Sequence, residues 1–149
     1  MVEFRLKETD DYTELREFFI ENELEFSEDD PLPQDLVKCF RLTDEGGESP
    51  KLIGGVALAI RDGVFLIDGI AVDAGYRKMN FGKLLMDKAI EEVRNRSGDS
   101  LYLVARVPGF YKALGFESIP KEGAPIHFGC LSCSQFEVSC FPEVMKLRV

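Results

Sequence analysis

Long apolar runs are missing from this sequence: no stretch approaches the roughly 20 residues that a membrane-spanning helix needs. The start, Met1 to Lys7, lacks the basic-then-apolar profile of a secretion signal. Basic charge is scarce too, with 18 Lys and Arg against 27 Asp and Glu, a net charge of −9 and a pI near 4.7. That balance argues against nucleic acid or an anionic membrane surface as the main partner. Internal repeats, low-complexity tracts and linkers are absent. What is present suffices for a core. The 149 residues are 45% apolar and 11% aromatic, which excludes a disordered chain and suits one domain, residues 1–149, that needs no disulfide or metal to hold it. The expectation is a soluble cytoplasmic domain, and nothing in the sequence distinguishes a monomer from a homodimer.

The charge is unevenly spread. Residues 1–35 hold 13 acids and 3 bases, net −10, whereas 76–96 hold six bases (Arg77, Lys78, Lys83, Lys88, Arg94, Arg96) and three acids, net +3. An acidic first quarter and a basic middle helix suggest two binding surfaces, although solvated helix faces give the same pattern.

Periodicity supplies the elements. Phe4 and Leu6 alternate with Arg5 and Lys7 as in a strand. Thr9 can cap a following helix whose buried face carries Tyr12, Leu15, Phe18 and Phe19. Glu21–Pro33 is acidic and broken by two prolines, and Gln34–Lys38 can form a short helix. Cys39–Thr43, Lys51–Ile60 and Val64–Val72 read as strands, the last two joined by the tight turn Arg61-Asp62-Gly63. Phe81, Leu84, Leu85, Lys88, Ala89 and Val93 recur at helical spacing up to a stop at Gly98. Leu101–Ala105 reads as a buried strand, Pro108 to Leu114 as a short helix ended by Gly115, and Ile126–Phe128 and Val144–Val149 as strands. One α+β domain on a largely antiparallel sheet follows.

A strand, a basic glycine-bearing turn and a helix in that order have a chemical meaning. The first turn of a helix leaves backbone N–H groups unpaired, its dipole favours negative charge, and a glycine lets an anion approach closely. Arg77-Lys78-Met79-Asn80-Phe81-Gly82-Lys83 after Val64–Val72 can therefore cradle a pyrophosphate; an ordinary structural turn is the other reading.

These residues resemble a known family. Ile70-Ala71-Val72 followed by Tyr76-Arg77-Lys78-Met79-Asn80-Phe81-Gly82-Lys83-Leu84-Leu85 is similar to the acyl-CoA-binding motif of the GNAT acyltransferase superfamily: Arg or Gln, two residues, Gly, one residue, Gly or Ala. Gly109-Phe110-Tyr111-Lys112-Ala113-Leu114-Gly115-Phe116 resembles its second signature, and both stand in the family's order. The likeness is close over roughly residues 50–118. Asn80 replaces the first Gly, but Asn tolerates positive φ best among non-glycine residues. Ala105-Arg106-Val107-Pro108 lacks the Asn often found there in the family, which removes one side-chain contact to the cofactor.

The resemblance implies a three-layer α+β fold: a mixed, mostly antiparallel sheet with two splayed central strands, flanked by helices. It implies acetyl-CoA as co-substrate, with the backbone of Ile70, Ala71 and Val72 holding the pantetheine arm. Amides of Lys78, Met79, Asn80, Phe81, Gly82 and Lys83 would hold the pyrophosphate, with charge from Arg77, Lys78 and Lys83. The implied reaction is direct attack of a primary amine on the thioester, which needs a base for the ammonium and an acid for the thiolate. Tyr111 occupies the family's general-acid position, and a phenol near its reference pKa of about 10 stays protonated; a core aromatic is the alternative. Asp68 is the candidate base or water-holder, against an exposed strand acid, and alternation leaves open which face it takes. Glu25, Glu28 and Asp29 are rival bases and candidate acceptor-site residues that suit a cationic small-molecule or peptide amine, unless they are merely a solvated surface.

Four soft or borderline ligands, His127, Cys130, Cys133 and Cys140, match a tetrahedral metal site in number but not in paired spacing. Buried structural thiols are the ordinary reading and a redox-sensitive pair is a further alternative, Cys39 is isolated and expected to pack, and a single histidine is more often structural than catalytic. The alternatives to an enzyme are a non-catalytic CoA-binding or thiol- or metal-sensing regulatory protein on the same fold, and an interaction module using the acidic face. Retention of Tyr111 and the basic turn favours the enzyme.

Overall fold

The computed structural model describes residues 3–22, 35–61, 63–105, 108–120 and 143–149. Strand β1 (Phe4–Thr9) pairs antiparallel with β2 (Leu36–Asp44), from Phe4↔Asp44 to Thr9↔Cys39. β2 pairs antiparallel with β3 (Lys51–Arg61), with register shifts between Leu36 and Lys38 and between Leu42 and Thr43. Helix α1 (Tyr12–Glu21) joins β1 to β2. After β4 (Val64–Val72) come a 3-10 helix (Ala74–Met79), α2 (Phe81–Asn95), β5 (Ser100–Ala105), α3 (Pro108–Ala113), β6 (Glu117–Ile119) and β7 (Glu143–Arg148). The sheet order is β1-β2-β3-β4-β5-β7-β6. This is the mixed, mostly antiparallel α+β sheet expected. Its parallel pair is β4 with β5, whose described ladder has one position, Leu66↔Tyr102.

The chain forms two compact units. The first comprises Met1–Ala59 and Ile67–Glu92, the second Ile60–Leu66 and Val93–Val149.

In the first unit the helices take opposite faces of the sheet, which two adjacent glycines of β3 make plain. A Cβ on Gly55 would lie 2.5 Å from Leu15 of α1, and a Cβ on Gly54 would lie 3.1 Å from Leu85 of α2. Neighbouring strand residues point to opposite faces. On the α1 side Tyr12, Leu15, Phe18 and Phe19 pack with Cys39, Ala57 and Ala71. Full burial of Leu15 or Phe19 contributes about 2 kcal/mol each by transfer from water. On the other side α2 buries Phe81, Leu85, Met86 and Ala89; of the helical repeat read from the sequence Leu84 is exposed instead, and Met86 joins the buried face. Asp11, not Thr9, caps α1: its Oδ1 accepts from the Glu14 N–H at 3.1 Å, while Thr9 Oγ1 accepts from the Asp11 N–H. The helix starts later than Thr9 could serve, because a cap reaches only the second or third helical N–H.

In the second unit β7 pairs antiparallel with β5 (Ser100↔Arg148 to Ala105↔Glu143) and with β6 (Glu117↔Lys146 to Ile119↔Val144). Leu101, Leu103, Phe116, Val144 and Met145 are buried there. Two local expectations change. Leu36–Lys38 is strand, not helix, because it extends the ladder with β3. The three-residue β6 was not foreseen; it is too short to show a period of two. The strand expected at Ile126–Phe128 lies outside the described residues. Among those described, no helix is long and apolar enough to cross a membrane.

Candidate active site

β4 lies between β3 and β5 in the sheet, and its described ladder with β5 is the one position Leu66↔Tyr102, four residues before Ile70. Strand residues past a ladder can offer alternate N–H and C=O groups to an added extended partner, and Ile70, Ala71 and Val72 lie past that position. β4 ends where the Asp73 N–H donates to the Ile53 carbonyl at 2.8 Å. The Asp73 carboxylate then caps the 3-10 helix by accepting from the Gly75 N–H at 2.9 Å.

The basic turn follows directly. Arg77 is exposed and its Nε donates to the Val72 carbonyl at 3.1 Å, folding the guanidinium back on the end of β4. Lys78 and Met79 are exposed. Asn80 sits at φ 65°, ψ 24°, the left-handed conformation that the family's glycine would take. The N–H of Leu84 bonds the Asn80 carbonyl at 3.3 Å, so the amides of Phe81, Gly82 and Lys83 precede the first intrahelical bond. The first turn of α2 contains no acid. A helix start without a carboxylate, carrying Lys83, is electrostatically suited to an anion. Lys83 also pairs with Asp87 at 2.8 Å, but both side chains are half-exposed and the pair adds little stability.

Side chains from elsewhere in the chain hold this turn in place, and sequence reading did not give Phe4, Asp44 or Lys51 that part. The Phe81 ring meets Phe4 of β1 edge-on at 4.4 Å, and Tyr76 lies 6.4 Å from Phe4 and 6.5 Å from Phe81. The Tyr76 hydroxyl donates to Asp44 Oδ2 at 2.9 Å, and Lys51 Nζ stands 5.5 Å from the Tyr76 ring centroid. The Gly46 N–H and then the Tyr76 hydroxyl hold the Asp44 carboxyl below its usual range. Only Tyr76 carried a signal, its place beside Arg77; Phe4, Asp44 and Lys51 are distant in sequence.

The face taken by Asp68 is settled by α1. The Tyr12 hydroxyl donates to Asp68 Oδ2 at 2.7 Å. Burial first, and then Asp68, push the Tyr12 phenol above its ordinary range, so it remains a donor. The next residue, Gly69, also meets α1, since a Cβ there would lie 2.6 Å from the Phe19 ring. Strict alternation therefore does not hold for the carboxylate. Cys39 is buried as expected, and burial followed by the Asp68 charge push its thiol up to about 11.

Tyr111 belongs to the second unit. Its ring lies between Phe110 at 5.0 Å and Phe116 at 5.9 Å, both edge-on. Burial raises its pKa, so the phenol is neutral and able to donate. α3 stops at Ala113, the turn after it places Gly115 at φ 102°, and the Phe116 N–H returns to the Tyr111 carbonyl at 3.0 Å. Glu25, Glu28, Asp29, His127, Cys130, Cys133 and Cys140 lie outside the described residues. Among those described, no cluster of three metal-ligating side chains occurs.

A strand that runs through a basic turn into an acid-free helix start is suited to an anion-bearing cofactor. The sequence profile of the acetyltransferase (GNAT) family matches residues 5–116, and the chain belongs to that family. It is 38% identical over 81 residues to the histone acetyltransferase TAP1 of Glycine max, a match covering 52% of this chain and 35% of that protein. The chain thus spans about a third of the length of the curated relatives it matches. A GNAT-family acetyltransferase from Staphylococcus aureus superposes with a TM-score of 0.74 at 20% identity, covering 98% of this chain and 99% of that one. The N-acetylglutamate synthase of Neisseria gonorrhoeae, solved with coenzyme A and N-acetyl-glutamate, gives 0.71 at 16% identity, covering 99% of this chain and 35% of that one. At such identities the likeness speaks to the fold. Acetyl-CoA as co-substrate fits the family.

Proposed function

We propose that this chain transfers an acetyl group from acetyl-CoA to a primary amine by direct attack, without a covalent enzyme intermediate. The observation that carries the reading is the acid-free start of α2, entered through left-handed Asn80 and flanked by Arg77, Lys78 and Lys83. The pyrophosphate lies against the amides of residues 78–83, and the three basic side chains add charge near it. The pantetheine arm runs along Ile70, Ala71 and Val72 as an added strand. Asp68 takes the ammonium proton, directly or through water, and the amine attacks the thioester carbonyl. Tyr111 gives its proton to the departing thiolate.

The acceptor is a cationic amine drawn by the acidic first quarter of the chain, with Glu25, Glu28 and Asp29 as its candidate contacts. Polyamines, amino-sugars and lysine side chains are the acceptors worth testing, and the name of the Glycine max relative, a histone acetyltransferase, adds histone peptides to the panel. The reading places the protein in the cytoplasm, a reducing compartment that suits the buried free thiol of Cys39. The test is thermal unfolding with and without acetyl-CoA, followed by thiol release against a panel of amines. Stabilisation with amine-dependent release is expected. Stabilisation with no release on any amine would instead identify a non-catalytic CoA binder, and no stabilisation would remove the cofactor site.

A further inference from the structure

Tyr12 lies 56 residues before Asp68 in the chain, yet its hydroxyl donates to the Asp68 carboxylate at 2.7 Å. Tyr12 is 6% exposed and Phe19, two helical turns on along the same face of α1, is fully buried against Gly69. The phenol therefore has no rotamer freedom to leave the carboxylate while α1 stays docked. A charge-assisted hydrogen bond of this length is of the strong kind. The contact spends the one donor of a buried phenol on a strand acid beside residues 70–72.

We propose that Tyr12 is a positioning residue for acetyl transfer: it orients the Asp68 carboxylate for proton acceptance from the amine. The proposal rests on the reading of Asp68 as base or water-holder. Other charged and titratable groups acting on Tyr12 are Arg16 of α1, one turn on, and Cys39 of β2, and Asp10 ahead of α1 acts in turn on Cys39. Arg16 is itself buried at 8% exposure and the bond is part-buried, an environment in which a lost donor is felt more than in open water.

The experiment is steady-state kinetics of Tyr12→Phe, Asp68→Asn and the double variant against pH. Loss of a hydrogen bond to the charged form makes that form harder to reach, so the acid limb of kcat/KM for the amine should move up by about one pH unit in Tyr12→Phe. Turnover at neutral pH should fall about tenfold, while KM for acetyl-CoA stays within about twofold. In the Asp68→Asn background Tyr12→Phe should have no further effect on kcat. An unmoved acid limb, or an equal loss of kcat in both backgrounds, overturns the positioning role while leaving Asp68 as base. Wild-type turnover in Asp68→Asn alone overturns the base and this proposal with it. If Tyr12→Phe does not fold, 3-fluorotyrosine placed at position 12 keeps the ring and strengthens the donor. The acid limb should then move to lower pH, and an unmoved limb refutes the proposal.

Discussion

Gly69→Ala tests the seat of α1 on the sheet more sharply than any surface change. An added Cβ would stand 2.6 Å and 2.9 Å from two carbons of the Phe19 ring, a separation that real Cβ atoms do not sustain. Phe19 is fully buried and its ring is rigid, so relief requires α1 to shift. Overpacking of this kind costs roughly 2–3 kcal/mol. The loss of backbone freedom in the unfolded chain returns about 0.4–1 kcal/mol, because no positive φ marks Gly69 and alanine fits its backbone. The net loss of about 1–2 kcal/mol corresponds to a fall in Tm of about 3–8 °C for a chain of this size. Gly55→Ala is the internal control. Its Cβ would come 2.5 Å from Leu15 Cδ2, the far end of a flexible side chain that can turn away, so its net cost should stay below about 1 kcal/mol. Differential scanning calorimetry of both variants decides. If Gly69→Ala melts within a degree of wild type, or Gly55→Ala is the worse of the two, Phe19 does not press on β4 as described.

Further consequences follow for the site. Tyr111→Phe should lower turnover by about a hundredfold while leaving acetyl-CoA affinity unchanged; equal turnover removes the general-acid role. Asn80→Gly should retain acetyl-CoA affinity, because glycine takes the left-handed conformation freely. Asn80→Val, β-branched at φ 65°, should weaken binding about tenfold by calorimetric titration. Lys83→Ala should raise KM for acetyl-CoA about threefold at low salt and less at high salt, with thermal stability nearly unchanged since its pair with Asp87 is exposed. Cys39 gives a pH signature. Its thiol is raised from about 9 to about 11 in the folded chain, so the folded state binds more protons over that window. Its share of stability is complete below pH 9 and is lost as pH rises towards 11, about 3 kcal/mol in all. Urea unfolding of Cys39→Ala should show a shallower alkaline decline than wild type.

What the sequence could show was what lies close along the chain. β4, the basic turn and the start of α2 are one contiguous segment, Val64 to Lys83, so their order alone carried the anion-binding argument, and Asn80 announced its own left-handed backbone. The α1 and α2 faces were legible because Leu15 with Phe19, and Leu85 with Ala89, obey helical spacing. Partners distant in sequence were not legible. Tyr12 looked like one more core aromatic until the fold set it on Asp68, and Phe4, Asp44 and Lys51 gave no hint of bracing Tyr76 and Phe81. Leu36–Lys38 illustrates the same limit: its local pattern allowed a helix, and pairing with Leu58 and Ala59 on β3 overrode it.

The central claim is acetyl transfer to an amine by this chain, and mass spectrometry on the acceptor tests it most directly. With isotope-labelled acetyl-CoA, a cationic amine and purified protein, labelled acetyl should appear on the amine nitrogen, with wild type far ahead of Tyr111→Phe and no acetyl on the protein itself. Labelled acetyl on the protein as a competent intermediate would contradict direct transfer. A product formed equally well by Tyr111→Phe, or none with any polyamine, amino-sugar or lysine peptide, would contradict the account.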